Sequence, residues 1–453
     1  MTRSRHLALL TGSVIVLAIL TGLAAALLNI LFLHVEALAF GSNEATTVLP
    51  PHSSSPTRII MAFLVSGTLG ALIWWGLHRW GRPQPTVTQS LRGAPSPIPE
   101  TTAHAALQVA QVGTGASIGR ENAPRIAGVL CADRLAAWTH VSPEFRQLMV
   151  ASAAGGGLAA AYHAPLAGIA FTIEICALGL RPRSIAIATT TCAIATGVSS
   201  HIEPAGLQYT APAVTCTWPM LISAVFIGAI VGPLGVIFRR LTQWCQHWAT
   251  HDARVLYRMP IGFAVTGVVV VFVPDVAGNG KYATMSTFSG TLTWRALAQL
   301  CVLNTVVTLV CLGSGAIGGI LTPSFSLGVM VTALGGIGMM AIISTVSTVG
   351  IRLSGTTHPT IDSTTVLQGS IGETPVLACA VIGGAAFLAT AHRAPLFALL
   401  ATMEFTGQTP VSIPVLAIAV ITATLPLACS AWNDHRYSGT PLCALRHRSQ
   451  PGL

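Results

Sequence analysis

The sequence predicts an integral membrane protein, built as one membrane domain from a duplicated set of broken helices. Three observations predict it. Of 453 residues, 52% are hydrophobic and only 8% charged, with a mean hydropathy of +0.69, whereas a soluble domain carries roughly 25% charged residues. Gly at 44 positions and Pro at 27 suit helices that break, pack closely or enter the bilayer only part-way. Finally, two pairs of segments echo each other in the same order, about half a chain apart. GTGASIGRENAP (113–124) matches GSGAIGGILTP (313–323), and HAPLAGIAFTIE (163–174) matches RAPLFALLATME (393–404). Paired Gly/Pro-interrupted segments in an apolar chain point to a transporter's binding site.

The first apolar run, from Leu7 to about Phe40, is far longer than the roughly 7 to 15 residues of a signal-peptide core and reads as a retained spanning helix. Apolar segments follow near 58–76, 102–118, 145–181, 184–199, 217–238, 260–273, 295–312, 322–349, 374–391, 394–405 and 411–431. Several are shorter than the roughly 20 residues a span needs. Polar loops are expected at 41–57 and 352–373. The echoes divide the chain 1–453 into a first repeat, 7–205, and a second, 215–445, joined by a polar stretch near 201–212. The short polar remainder after the last apolar segment leaves no room for an appended soluble domain.

A net charge of +9 raises the question of nucleic acid. The basic residues, however, sit at the chain ends and in connections, as with Arg3, Arg5, His78, Arg79, Arg82, Arg239, Arg240, Arg446 and Arg448. That is the pattern of cytoplasmic flanks of a multi-pass cell-membrane protein, with both termini inside, and no nucleic-acid partner is expected. The ten cysteines show no CxxC pair and fall mostly within apolar runs, which fits small core residues. No HExxH or Asp-rich set suggests a metal, and GTGASIG neither follows a strand nor completes a dinucleotide fingerprint. An intramembrane enzyme using His163, His392 and the glutamates is therefore a distant alternative, and no cofactor is expected.

An anion crossing a bilayer must replace its hydration shell, yet a full buried cation would hold it too tightly for rapid release. Helix N-termini offer free N–H groups and about half a positive charge. The Gly-rich runs let backbone approach closely, and Pro124 and Pro323 stand where helices begin. Matched positions and paired prolines weigh against the plainer reading that these glycines only permit tight packing. Glu121, among only 14 acids, stands at such a start. A carboxylate there would occupy an anion site as a surrogate and leave it on protonation, linking protons to anions; the bland alternative is a helix cap. Glu174 and Glu404, at matched repeat positions, fit structural hydrogen bonding to backbone.

These residues resemble the CLC family of chloride channels and chloride/proton antiporters over nearly the whole chain. GRENAP (119–124) is similar to the family's GREGP motif, GGILTP (318–323) to its GGIFAP motif, and HAPLAGIAFTIE to the stretch leading to its paired glutamates. The resemblance implies an all-α integral membrane protein of two inverted repeats of broken and re-entrant helices, a homodimer with one pore per subunit, and chloride and protons as cargo. It also implies that Glu121 is the gating glutamate. The backbone amides of Arg120, Glu121, Asn122, Ile320, Leu321 and Thr322 would form the anion sites, and Tyr437 would line the inner pore.

Three departures matter. The family's GSGIP motif is matched best by GRPQP (81–85), which puts Arg82 where a serine hydroxyl binds the inner anion. Arg82 would then either add positive potential at an inner mouth or snorkel beside Trp80 to the lipid surface, the latter slightly favoured. Ile175 falls where many antiporters carry an inner proton-bearing glutamate. Asn122 and Ala123 replace Gly-Pro, with the proline shifted to Pro124. Chloride/proton antiport gated by Glu121 is the favoured reading; a passive gated chloride channel is the alternative, and Ile175 fits it.

Overall fold

The computed structural model describes residues 3–47, 50–203, 206–249, 252–354 and 374–438. Among them the ordered elements are helical. The first set comprises α1 (Arg3–Phe40), α2 (Pro56–Trp80), α3 (Val87–Leu91), α4 (Ile98–Gly113), α5 (Asn122–Thr139), α6 (Pro143–Tyr162), α7 (Pro165–Ala170) and α8 (Pro182–Ile202). The second comprises α9 (Trp218–Trp248), α10 (Val255–Phe272), α11 (Lys281–Phe288), α12 (Trp294–Gly313), α13 (Leu321–Ser354), α14 (Thr374–His392), α15 (Pro395–Thr406) and α16 (Ile413–Ser438).

Nine described helices are long and apolar enough to cross a membrane. Their outward faces carry large bare hydrophobics such as Leu27, Leu69, Ile230 and Ile261. This is a surface that lipid covers and water would not. Exposed Trp80, Trp138, Trp218 and Trp248 suit the amphipathic level of the headgroups. Pro at the first or second helical position opens α2, α4, α6, α8, α9 and α15, where a missing N–H costs nothing because that turn has no acceptor for it.

Packing repeats with an offset of eight helices. In the first set α6 is the hub against α1, α5, α7 and α8; in the second α14 is the hub against α9, α13, α15 and α16. Two helices pack on their own counterparts, α2 on α10 and α7 on α15. The same reciprocity reaches individual atoms. Glu404 Oε1 and Oε2 accept from the Leu166 and Ala167 amides at 2.9 and 2.7 Å. Glu174 Oε1 and Oε2 accept from the Leu396 and Phe397 amides at 3.2 and 2.8 Å. Each glutamate thus satisfies the open N-terminus of the other half's short helix, where the dipole favours an anion. The backbone before each helix is left-handed at a non-glycine, His163 (φ 51°) and Arg393 (φ 53°), a strained turn repeated at the same place.

Two details differ from the sequence reading. Helix α13 runs to Ser354, three residues into the stretch expected as loop; 355–373 lies outside the described residues. Helix α5 was not marked as an apolar segment, because Arg125, Asp133 and Arg134 interrupt it. Asp133 is buried and satisfied by Arg146 at 2.5 Å and by the Ser96 amide at 3.0 Å, so the fold absorbs charge that hydropathy reads as exposure.

Candidate functional site

Two crossings of chain meet at the centre of the molecule. One runs from the end of α4 to the start of α5, the other from the end of α12 to the start of α13, and each turns on a glycine with positive φ, Gly115 and Gly315. They join at an isolated antiparallel bridge: Gly119 N–H donates to the Gly319 carbonyl at 2.7 Å, and Gly319 N–H to the Gly119 carbonyl at 2.9 Å. This bridge brings the N-termini of α5 and α13 together.

Glu121, 2% exposed, is the residue just before α5. Its carboxylate makes no bond to its own helix; Oε1 instead accepts from the Leu321 N–H at 2.7 Å, the first residue of α13. The other oxygen, Oε2, has no partner among the described residues. The bridging glycines are what allow this. A Cβ on Gly119 would lie 2.0 Å from Oε2, and one on Gly319 would lie 1.8 Å from Oε1. Ile320 ends the second crossing, and Thr322 follows Leu321 as a buried residue of the first turn of α13. Arg125, one turn into α5, donates Nε–H to the Glu121 carbonyl at 3.0 Å and lies over the Phe171 ring at 5.2 Å.

The residues flanking Glu121 point to different sides. Arg120 lies 4.0 Å over the Phe32 ring and pairs with Glu44 at 3.2 Å. Lys281 pairs with the other oxygen of Glu44 at 2.7 Å. Glu36 accepts from the Glu44 amide at 2.7 Å and from the Tyr282 hydroxyl. Burial acts to raise the Glu44 carboxyl, but the Lys281 ammonium and Arg120 guanidinium outweigh it and hold it down at about 2. This cluster sits at the far end of α1. No motif pointed to it, since Glu44 lies in the turn after α1 and Lys281 opens α11, far apart in the chain; the one sequence signal was Glu36, an acid inside the first apolar run.

Asn122 opens on the other side, into a cavity of about 400 Å³ lined among others by Arg82, His104, Gln108, Ile126 and Ile317. Its Nδ2 donates to Gln108 Oε1 at 3.2 Å. Arg82 stands at the rim with its side chain 73% exposed, and Glu100 Oε1 accepts from its backbone N–H at 3.0 Å and its Nε at 3.4 Å. Ile175 ends a π-helical turn, Phe171–Ile175, that continues α7. Tyr437 falls in the last turn of α16, among positions whose side chains lie outside the described residues. The structure thus groups Arg120, Glu121, Asn122, Ile320, Leu321 and Thr322, and places Arg82 at the cavity rim.

The family model described as "Voltage gated chloride channel" matches residues 69–426. The chain is 25% identical over 433 residues to the voltage-gated ClC-type chloride channel ClcB of Salmonella typhimurium, covering 91% of this chain and 95% of that one. It is 29% identical over 299 residues to the H(+)/Cl(-) exchange transporter ClcA of Vibrio parahaemolyticus, covering 62% of this chain and 57% of that one. Among solved structures, a slow cyanobacterial Cl-/H+ antiporter superposes with a TM-score of 0.71 at 20% identity, over 95% of this chain and 99% of that one. A CLC-type fluoride/proton antiporter does so with a TM-score of 0.62 at 18% identity, over 94% and 96%.

Proposed function

Because the chain belongs to the voltage-gated chloride channel family, we propose that it carries chloride across the cell membrane in exchange for protons, with Glu121 as the gating group. The observation that carries this reading is the Glu121 carboxylate seated on the Leu321 N–H where two helix N-termini meet. There a carboxylate competes with chloride for the same donors. Protonation removes its charge, weakens its hold on the amide and frees the N-termini of α5 and α13 for the anion. The amides of Arg120, Glu121, Asn122, Ile320, Leu321 and Thr322 are the donors, and none is a full cation, so the anion is released as readily as it is bound.

The two repeats, 7–205 and 215–445, act as one transport domain, assembled as a homodimer in the lipid of the cell membrane, and Tyr437 lines the inner pore. The protein moves ions and is not an enzyme. Since Ile175 cannot carry a proton, protons reach Glu121 along water, and Ile175→Glu should change the proton rate only modestly. The passive channel is the second reading, and Ile175 is the observation that favours it.

The test is a liposome assay recording chloride and pH together. An imposed chloride gradient should drive protons uphill. Chloride movement without proton movement replaces the antiporter with the channel, and no chloride movement defeats both.

A further inference from the structure

The cavity wall carries a side-chain donor that is unused among the described residues. Gln108 is 1% exposed, on α4, and lines the cavity with Asn122. Its Oε1 is taken by Asn122 Nδ2 at 3.2 Å, while its Nε2 has no hydrogen-bond partner among the described residues. The orientation of two paired carboxamides is interchangeable, but the conclusion does not depend on it. If both are turned, Gln108 Nε2 donates to Asn122 and the Asn122 NH₂ is left over instead. Either way the pair presents an NH₂ group on the cavity lining; as placed, the buried Gln108 Nε2 is unmatched among the described residues, which is costly for a buried donor. Such a group calls for an acceptor.

The surroundings select the acceptor. Asn122 is the first residue of α5, so the spare NH₂ lies beside the same helix N-terminus that Glu121 adjoins, and its field favours an anion. Arg82, on the cavity rim, is engaged with Glu100. A carboxamide N–H is neutral, so it replaces a water of hydration without trapping the ion. Arg82 stands where a hydroxyl donor was expected by resemblance, and Gln108 offers a donor from a different helix.

Resting on the chloride-transport reading above, we propose that the Gln108–Asn122 carboxamide pair forms an anion subsite for a partly dehydrated monovalent anion, on the cavity side of Glu121. It sets how tightly and how selectively the anion is held before it reaches the Leu321 amide.

Bromide supplies the test, with wild type, Gln108→Met, which keeps bulk and removes both N–H donors, and Gln108→Asn, which keeps a carboxamide but shortens its reach. In crystals of the wild type soaked in bromide, anomalous density should lie within hydrogen-bond distance of the Gln108 or Asn122 side-chain nitrogen. In liposomes Gln108→Met should raise the chloride concentration for half-maximal flux about tenfold, the loss expected for one hydrogen bond to a charged group. Maximal flux should change less, the bromide-to-chloride flux ratio should shift, and Gln108→Asn should recover part of the affinity. Wild-type bromide density at the Leu321 amide but none at the carboxamides overturns the subsite while leaving the transport reading intact. An unchanged half-saturation in Gln108→Met overturns it too. A wild type that moves no chloride removes the reading on which the subsite rests, whereas bromide density at the carboxamides would still support anion binding there.

Discussion

On one side of Glu121 the protein is filled with charge; on the other it is hollow. Glu36, Glu44, Lys281 and Tyr282 of the charged cluster line a space of about 10 Å³, against about 400 Å³ for the cavity that Gln108 and Asn122 line. In the cluster, both Glu44 oxygens have a cationic partner, so the charges satisfy one another and leave little for a passing ion. The cavity is lined by the Gln108 and Asn122 carboxamides and by His78, His104 and Arg82, the last paired with Glu100. Full charges buried together satisfy one another and fill their space, whereas a hollow leaves a carboxamide donor on its wall unmatched among the described residues.

The comparison can be broken most severely at its midpoint. Glu121→Gln mimics the protonated carboxyl, so anion flux should persist or rise while its pH dependence is lost altogether, measured at about pH 4.5 and 7.5, near and well above the reference carboxylate value. If the mutant keeps the wild-type pH response, another group gates the path.

Glu44→Gln breaks the charged side by leaving Arg120 and Lys281 without their shared anion. Removing one partner of a buried ion pair costs about 3 kcal/mol, which should show as a clear drop in melting temperature in detergent at pH 7. The pH sign follows from the depressed Glu44 carboxyl. Its contribution is complete above the usual carboxylate range and falls away as pH drops toward about 2. Wild type should therefore lose melting temperature between pH 5 and 3, and Glu44→Gln should lose less. A mutant as stable as wild type at pH 7 would mean that the cluster is not a lock.

Glu174→Gln and Glu404→Gln touch neither side and calibrate the scale. Each weakens one pair of charge-assisted bonds, so each should cost about 1–2 kcal/mol, nearly equally, by thermal unfolding. Unequal losses would show that the two halves are not equivalent in energy. The smallest effect belongs to Arg82→Gln. Its exposed pair with Glu100 is screened by solvent, so only a modest change in the salt dependence of flux is expected, and a large loss of flux would give Arg82 a direct part in the path.

Much of this architecture was legible because it is local. Gly-rich runs ending in proline mark broken helices by backbone chemistry alone, and Pro165 to Glu174 repeats the spacing of Pro395 to Glu404, which betrays the duplication. Helix α5 escaped notice because Arg125, Asp133 and Arg134 mask an interior helix whose charges find partners in the fold. The identity of those partners was not legible either. Glu44 meets Lys281 across 237 positions, and Gln108 reads as one polar residue in an apolar run until α5 brings Asn122 beside it. Glu174 and Glu404 were expected to bond backbone, but that each serves the opposite half required the three-dimensional exchange.

That exchange bears on how the chain is made. While the ribosome is still adding the second half, α7 is in the bilayer with the Leu166 and Ala167 amides lacking their acceptor, because Glu404 lies 238 positions after Leu166. Glu174 likewise waits for α15. The short helix of the first half therefore gains its carboxylate only once the chain has been made past Glu404.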